Sequence, residues 1–176
     1  LLDAITDYCL GRGCKRTSIW TFSSAPKAEY SSMTRENFLG FGCSATTLLE
    51  RQFKINTFSV EEYCRRVGRG QLPTSLTLRF TLRQRMVYYL FWAAYSTRVS
   101  AAEFERFFGR PLRQTYGAEL WLARILGFVQ ERGGVYQMTL KGAFYYHYYE
   151  NFYTLAYIDQ MWGRLRKEAF PRQLRL

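Results

Sequence analysis

Apolar positions at the start of the chain recur at helical spacing. Leu1, Leu2, Ile5 and Cys9 fall on one face, and Gly11 and Gly13 follow as terminators. This predicts the tail of a helix over residues 1–10. Residues 17–22 alternate and are rich in β-formers, predicting a strand, and residues 23–35, polar with Pro26, predict a loop. Residues 37–49 carry Phe38, Leu39, Gly40, Phe41, Gly42, Cys43, Ser44 and Ala45, which read as an apolar strand interrupted by glycine. A short strand follows over 53–58. Ser59 then opens the pattern S-V-E-E, the capping signature of a helix over 60–67. Gly68, Gly70 and Pro73 break the chain.

Beyond Pro73 the periodicity turns helical. Thr81 can cap a helix whose one face holds Leu82, Met86, Tyr89, Leu90, Ala93 and Ala94. Ser100 caps a second helix over 101–108, in which Phe104, Phe107 and Phe108 cluster before Gly109. A third spans 112–126 and ends at Gly127. Residues 128–140 predict a hairpin turning at Gly133-Gly134, because both turn positions of a tight hairpin need positive φ. Thr139 caps a long aromatic helix over 140–168, bearing Tyr145, Tyr146, His147, Tyr148, Tyr149, Phe152, Tyr153 and Tyr157. Such a stripe more often packs a core or an interface than it builds a site. Three helices followed by a two-stranded wing is the winged-helix order.

The expected class is therefore α+β, in two parts. Residues 1–73 read as the end of a β/α architecture, with too few elements to close by themselves. Residues 74–176 read as a winged-helix-like, mainly helical domain.

Composition adds a partner class. The 176 residues are 48% hydrophobic and 18% aromatic, so a packed core is within reach. The formal net charge is +11, mostly from arginine. A basic, aromatic-rich surface suits a flat anionic partner, either nucleic acid or a tetrapyrrole with carboxylate arms. The most apolar stretch, residues 86–95, is too short to span a bilayer, and no signal peptide is visible, so a cytoplasmic location is expected.

Metal and nucleophile chemistry find little purchase. Cys9, Cys14, Cys43 and Cys64 form no C-x-x-C pair, and His147 is the only histidine. The thiols read as free, and His147 reads as hydrogen-bonded or exposed ahead of an axial haem ligand. No catalytic residue and no metal ligand is assigned. The G-x-G at Gly40-Phe41-Gly42 could present backbone N–H groups to an anionic ligand, although it lacks the third glycine of a dinucleotide fingerprint.

The run Phe38-Leu39-Gly40-Phe41-Gly42-Cys43-Ser44-Ala45 resembles the glycine-rich strand near the barrel end of the oxygen-independent coproporphyrinogen III oxidase family. Thr17-Ser18-Ile19-Trp20-Thr21-Phe22 before it, and Ser59-Val60-Glu61-Glu62-Tyr63 and Gly70-Gln71-Leu72-Pro73 after it, keep the family's order. So do Leu82-Arg83, Leu126-Gly127-Phe128-Val129 and Met138-Thr139-Leu140-Lys141-Gly142. The resemblance implies a radical S-adenosylmethionine protein acting in porphyrin or haem metabolism. Such a protein holds a [4Fe–4S] cluster on C-x-x-x-C-x-x-C. No three cysteines here have that spacing. The chain is accordingly expected to be a truncated C-terminal portion, inactive alone, keeping neither cluster nor S-adenosylmethionine.

By the same resemblance, Gly40, Gly42, Ser44 and Ala45 would line the S-adenosylmethionine pocket. Arg79, Arg83 and Arg85 would grip tetrapyrrole carboxylates. The expected partners are a tetrapyrrole and the missing N-terminal barrel segment. A winged-helix nucleic-acid-binding module is the alternative. Against it, the helix over 112–126 offers Glu119, Leu120, Trp121 and Leu122 where base readout wants Arg, Asn or Gln. A pure docking domain is the third reading.

Overall fold

The computed structural model describes residues 1–24 and 36–172, Tyr157 by its backbone alone. The fold is a mixed α+β arrangement, 51% helical, with small sheets that do not close into a barrel. It divides into two compact units, one of Leu1–Arg35 with Tyr88–Tyr149 and one of Glu36–Val87 with Glu150–Leu176.

In chain order the elements are α1 (Leu2–Gly11), β1 (Lys15–Arg16), β2 (Phe22–Ser23), β3 (Thr46–Leu49), β4 (Gln52–Asn56), α2 (Val60–Gly68) and β5 (Thr74–Arg79). There follow α3 (Leu82–Tyr95), β6 (Arg98–Ser100), α4 (Ala101–Phe108), α5 (Leu112–Ile125), β7 (Val129–Arg132) and β8 (Val135–Met138). Last come α6 (Leu140–Tyr153), a π-helical turn (Thr154–Ile158) and α7 (Asp159–Lys167). Among the described residues no helix is long and apolar enough to cross a membrane.

The helix starts follow from capping chemistry. The Glu62 amide donates to Ser59 Oγ at 3.2 Å and the Glu103 amide to Ser100 Oγ at 3.3 Å, each satisfying one orphan N–H of a first turn. Thr81 and Gln84 cap α3 reciprocally: the Gln84 amide donates to Thr81 Oγ1 at 3.2 Å, and the Thr81 amide to Gln84 Oε1 at 2.8 Å. Gly109 closes α4 at φ 64°, and Gly133 and Gly134 turn the β7–β8 hairpin at φ 57° and 78°.

In the first unit β6, β8 and β7 form an antiparallel sheet in that order. Val99 faces Tyr136, and Glu131 faces Tyr136 from the other side. Its core is aromatic. Tyr89 meets Phe104, Phe107 and Phe108 at ring separations of 5.9, 5.6 and 5.4 Å, and Ala93, Leu112 and Ala143 are also buried. Helix order and sheet order give helix, strand, two helices and a hairpin.

In the second unit β3, β4 and β5 form an antiparallel sheet. Ile55, Met161 and Leu165 are its buried centre, with Phe53, Phe58, Leu76 and Ile158 packed around them. Ser75 Oγ donates to the Ala169 carbonyl at 2.6 Å, tying β5 to the segment after α7.

Several expected elements differ. Of the strand expected over 17–22 only Phe22 is extended, opening β2; residues 17–21 are a tight turn between β1 and β2, because Ser18 Oγ accepts from the Thr21 amide at 3.2 Å and offers the backbone a local alternative to a ladder. Of residues 37–49 only 46–49 form a strand; Phe38 bridges Leu48, and Gly42 and Ser44 adopt positive φ. The stretch after Pro73 is first a strand: β5 pairs along β4, Leu78 facing Phe53 and Leu76 facing Ile55. The long C-terminal helix is divided by the π-helical turn. The loop expected over 23–35 lies, beyond Ser24, outside the described residues.

Candidate functional site

The sequence-nominated site residues all belong to the second unit. Residues 40–45 fold into a turn that leads into β3. A Cβ on Gly40 would collide with the Thr46 backbone carbonyl, so glycine is demanded there by the chain's own packing. The Gly40 amide donates to Thr47 Oγ1 at 3.0 Å, the Gly42 amide to the Tyr63 hydroxyl at 3.1 Å, and the Ser44 amide to the Thr57 carbonyl at 2.9 Å. The Gly42 carbonyl accepts from Asn56 Nδ2 at 3.0 Å, and the Ala45 carbonyl from the Asn56 amide at 3.0 Å. The amides of Gly40, Gly42 and Ser44 are thus committed inside the protein, which corrects the expectation that they stand open to an anion. Any part this segment plays toward a ligand falls to its outer surface, where Phe41 is 86% exposed.

The three arginines separate. Arg79 at the end of β5 and Arg83 in the first turn of α3 are exposed. Arg85 is buried, with 1% of its surface accessible. Its Nε donates to the Glu50 carbonyl at 2.8 Å and an Nη to the Glu36 carbonyl at 3.0 Å. Arg85 is therefore a clamp on two loop backbones, and gripping a substrate carboxylate would require it to leave them. Exposed and buried arginines of one helix turn look alike in sequence.

The donor set does not fit a thiolate-held cluster. Cys9 and Cys14 lie in the first unit and Cys43 and Cys64 in the second. Among the described residues no three His, Cys, Asp or Glu side chains gather as metal ligands would. His147 packs edge-on against Trp20, with ring centroids 4.2 Å apart. Its partial burial there makes it part of the first unit's aromatic packing.

Sequence reasoning passed over Arg16. This side chain donates to the Ile19 carbonyl at 3.1 Å and to the Thr6 hydroxyl, and its guanidinium lies 4.9 Å from the Phe22 ring. Burial lowers its pKa, opposed by the charges of Asp3 and Cys9. It borders a cavity of about 180 Å³ with Thr97, Gln137, Thr139, Leu140 and Ala143. A single arginine among hydroxyls carries no sequence signature of such a position.

On the hairpin, Glu131 joins turn and helix. Its carboxylate accepts from the Gly134 amide at 2.9 Å and pairs with Arg113 at 3.2 Å. The Gly134 hydrogen bond first, and the nearby Arg113 and Arg124 after it, hold this carboxyl below the usual glutamate range. Arg113 also donates to the Tyr136 hydroxyl at 3.2 Å, which with the Glu131 charge raises its own pKa.

No protein-family model matches the chain. No curated protein matches it either. Among solved structures the fold is similar to coproporphyrinogen III oxidase (HemN) from Escherichia coli, a radical SAM enzyme, with a TM-score of 0.59 and 16% identity. The match covers 83% of this chain and 38% of that one. At such identity the likeness is one of fold.

Proposed function

We propose that this chain is the C-terminal portion of an oxygen-independent coproporphyrinogen III oxidase-like radical SAM protein acting in porphyrin or haem metabolism. The fold likeness, which extends over 83% of the chain, carries this reading. On it, residues 1–73 correspond to the last part of a partial barrel and residues 74–176 to a winged-helix-like domain. The order helix, strand, two helices and hairpin over residues 82–138 is what supports the winged-helix part of this reading. The parent would take a tetrapyrrole; its [4Fe–4S] cluster would be held by residues other than the cysteines of this chain, and the segment of Gly40, Gly42, Ser44 and Ala45 would line the S-adenosylmethionine pocket by its outer surface. No catalytic step is assigned to these 176 residues. Arg79 and Arg83, exposed and adjacent in sequence to the β5–α3 junction, are the side chains suited to substrate carboxylates, and Arg85 keeps the neighbouring loops in place.

Titration with coproporphyrin III at moderate salt, read by tryptophan quenching, tests the proposal. Saturable binding weakened at least about threefold by R79A/R83A is the expected result. Absence of binding, together with duplex DNA affinity that falls steeply with salt, would replace it with the nucleic-acid-binding alternative, which the net charge of +11 favours.

A further inference from the structure

The cavity of about 180 Å³ in the first unit is bordered by the end of α1, by β1, and by the junction of β8 with α6. At roughly 30 Å³ per water it has room for about six waters. Among the described residues Arg16 is the one charged side chain on its wall. Only two N–H donors of that guanidinium are used, on the Ile19 carbonyl and the Thr6 hydroxyl. Its Nε is buried with no acceptor, and among the described residues no carboxylate forms an ion pair with it. Burial depresses the pKa of this cation against the opposing charges of Asp3 and Cys9. A charge drawn partly out of water is ordinarily paired, and this one is not.

Thr97 lines the same cavity. It is 5% exposed and holds φ 61°, a left-handed conformation that strains a β-branched residue. Glycine would take that φ freely, so what threonine adds is a hydroxyl on the cavity wall. Gln137 Nε2 fixes it, donating to Thr97 Oγ1 at 3.2 Å and to the Thr97 carbonyl at 2.9 Å. In that bond Oγ1 is the acceptor, which keeps the hydroxyl hydrogen for a ligand. Beyond Gln137 and Thr139 the wall is aliphatic, made by Leu10, Met138, Leu140 and Ala143. One guanidinium and one hydroxyl suit a single carboxylate, which takes a paired bond from the arginine fork. A dianion such as phosphate would bring a second charge with no cation to meet it. The aliphatic wall suits a short hydrocarbon tail.

We propose that this cavity binds a small aliphatic monocarboxylate, its carboxylate on Arg16 and Thr97 and its tail against Leu10, Met138 and Ala143. The site uses none of the residues assigned to the tetrapyrrole, and it stands or falls separately from that reading. Butyrate is the probe, with n-butanol and inorganic phosphate as controls. Each is titrated into the whole 176-residue chain and followed by the amide and arginine Nε signals in nuclear magnetic resonance. Saturable shifts at Arg16 Nε and the Thr97 amide are expected, with a Kd of about 1 mM or tighter. n-Butanol lacks the charge and should give no saturable shift there. R16K keeps the cation but loses the fork, and should weaken butyrate about tenfold. T97G relieves the left-handed φ, so it should fold as the parent does, yet bind butyrate about threefold more weakly. A purely structural role for Thr97 would not produce that split. No saturation by about 50 mM butyrate, an equal response to n-butanol, or unchanged affinity in either folded variant overturns the proposal. Tighter binding of phosphate than of butyrate would give the cavity to an inorganic oxyanion and overturn it as well.

Discussion

Arg85 carries its charge into the interior of the second unit and spends its donors on the carbonyls of Glu50 and Glu36. Hydrogen bonds from a charged donor contribute more than neutral ones, and removing a buried side chain of this size also leaves a cavity behind. Arg85→Ala is expected to cost about 3 kcal/mol in urea unfolding, whereas Arg83→Ala, at an exposed site two residues away, should stay within about 0.5 kcal/mol. Equal effects of the two would remove the clamp role. Glu131 gives a second test at this scale. Its folded-state pKa lies below the unfolded one, so the stabilisation is present above the unfolded value and is lost as pH falls through the folded value. Hydrogen exchange at the Gly134 amide should therefore accelerate in acid beyond the ordinary pH dependence of exchange, and E131Q should abolish that excess.

Elements are fixed by short signals where capping and turn chemistry act alone, and by neighbours elsewhere. Ser59→Ala and Ser100→Ala should each cost about 1 kcal/mol in chemical unfolding, with the corresponding Thr variants retaining most of the stability. Gly142 belongs to a different class. It lies in the first turn of α6, where a Cβ would collide with the Phe128 carbonyl and approach Met138 Cγ at 3.0 Å. Although alanine is the better helix former, Gly142→Ala is expected to destabilise by about 1–3 kcal/mol through overpacking. A stabilised variant in thermal unfolding would show that α6 shifts to make room. The strands β5 and β6 escaped the helical reading of the region for a related reason. Each is short and defined by what it pairs with, β5 by β4 and β6 by β8.

For the whole molecule, the distribution of thiols sets an expectation about cofactors. Among the described residues no three His, Cys, Asp or Glu side chains gather, and the cysteine spacing is not that of a thiolate-held cluster. Anaerobic incubation of the chain with ferrous iron and sulfide should leave it without the broad visible band of a [4Fe–4S] centre after desalting. Stoichiometric, thiol-dependent iron retained on the chain would overturn that statement and return Cys43 and Cys64 to the candidate ligands. The solved structure to which the fold is similar is a radical SAM enzyme of which this chain spans 38%. Any radical chemistry therefore belongs to the proposal about a larger protein.

The sequence by itself determined the features that depend on neighbours along the chain. Serine caps at 59 and 100, the glycine stop at 109, the Gly133-Gly134 turn and the mixed α+β class were all legible, because each satisfies backbone groups within a few residues. Only the tertiary structure decided what happens across distance. It showed that the amides of the glycine segment are taken up by Tyr63, Thr47 and Thr57, and that one of three similar arginines is buried while two are exposed. It also showed that Leu112 of α5 is buried while Trp121, Leu122 and Ile125 are exposed. Periodicity reveals that a helix has an apolar stripe; which side of the molecule covers that stripe is settled by long-range packing, which local spacing does not encode.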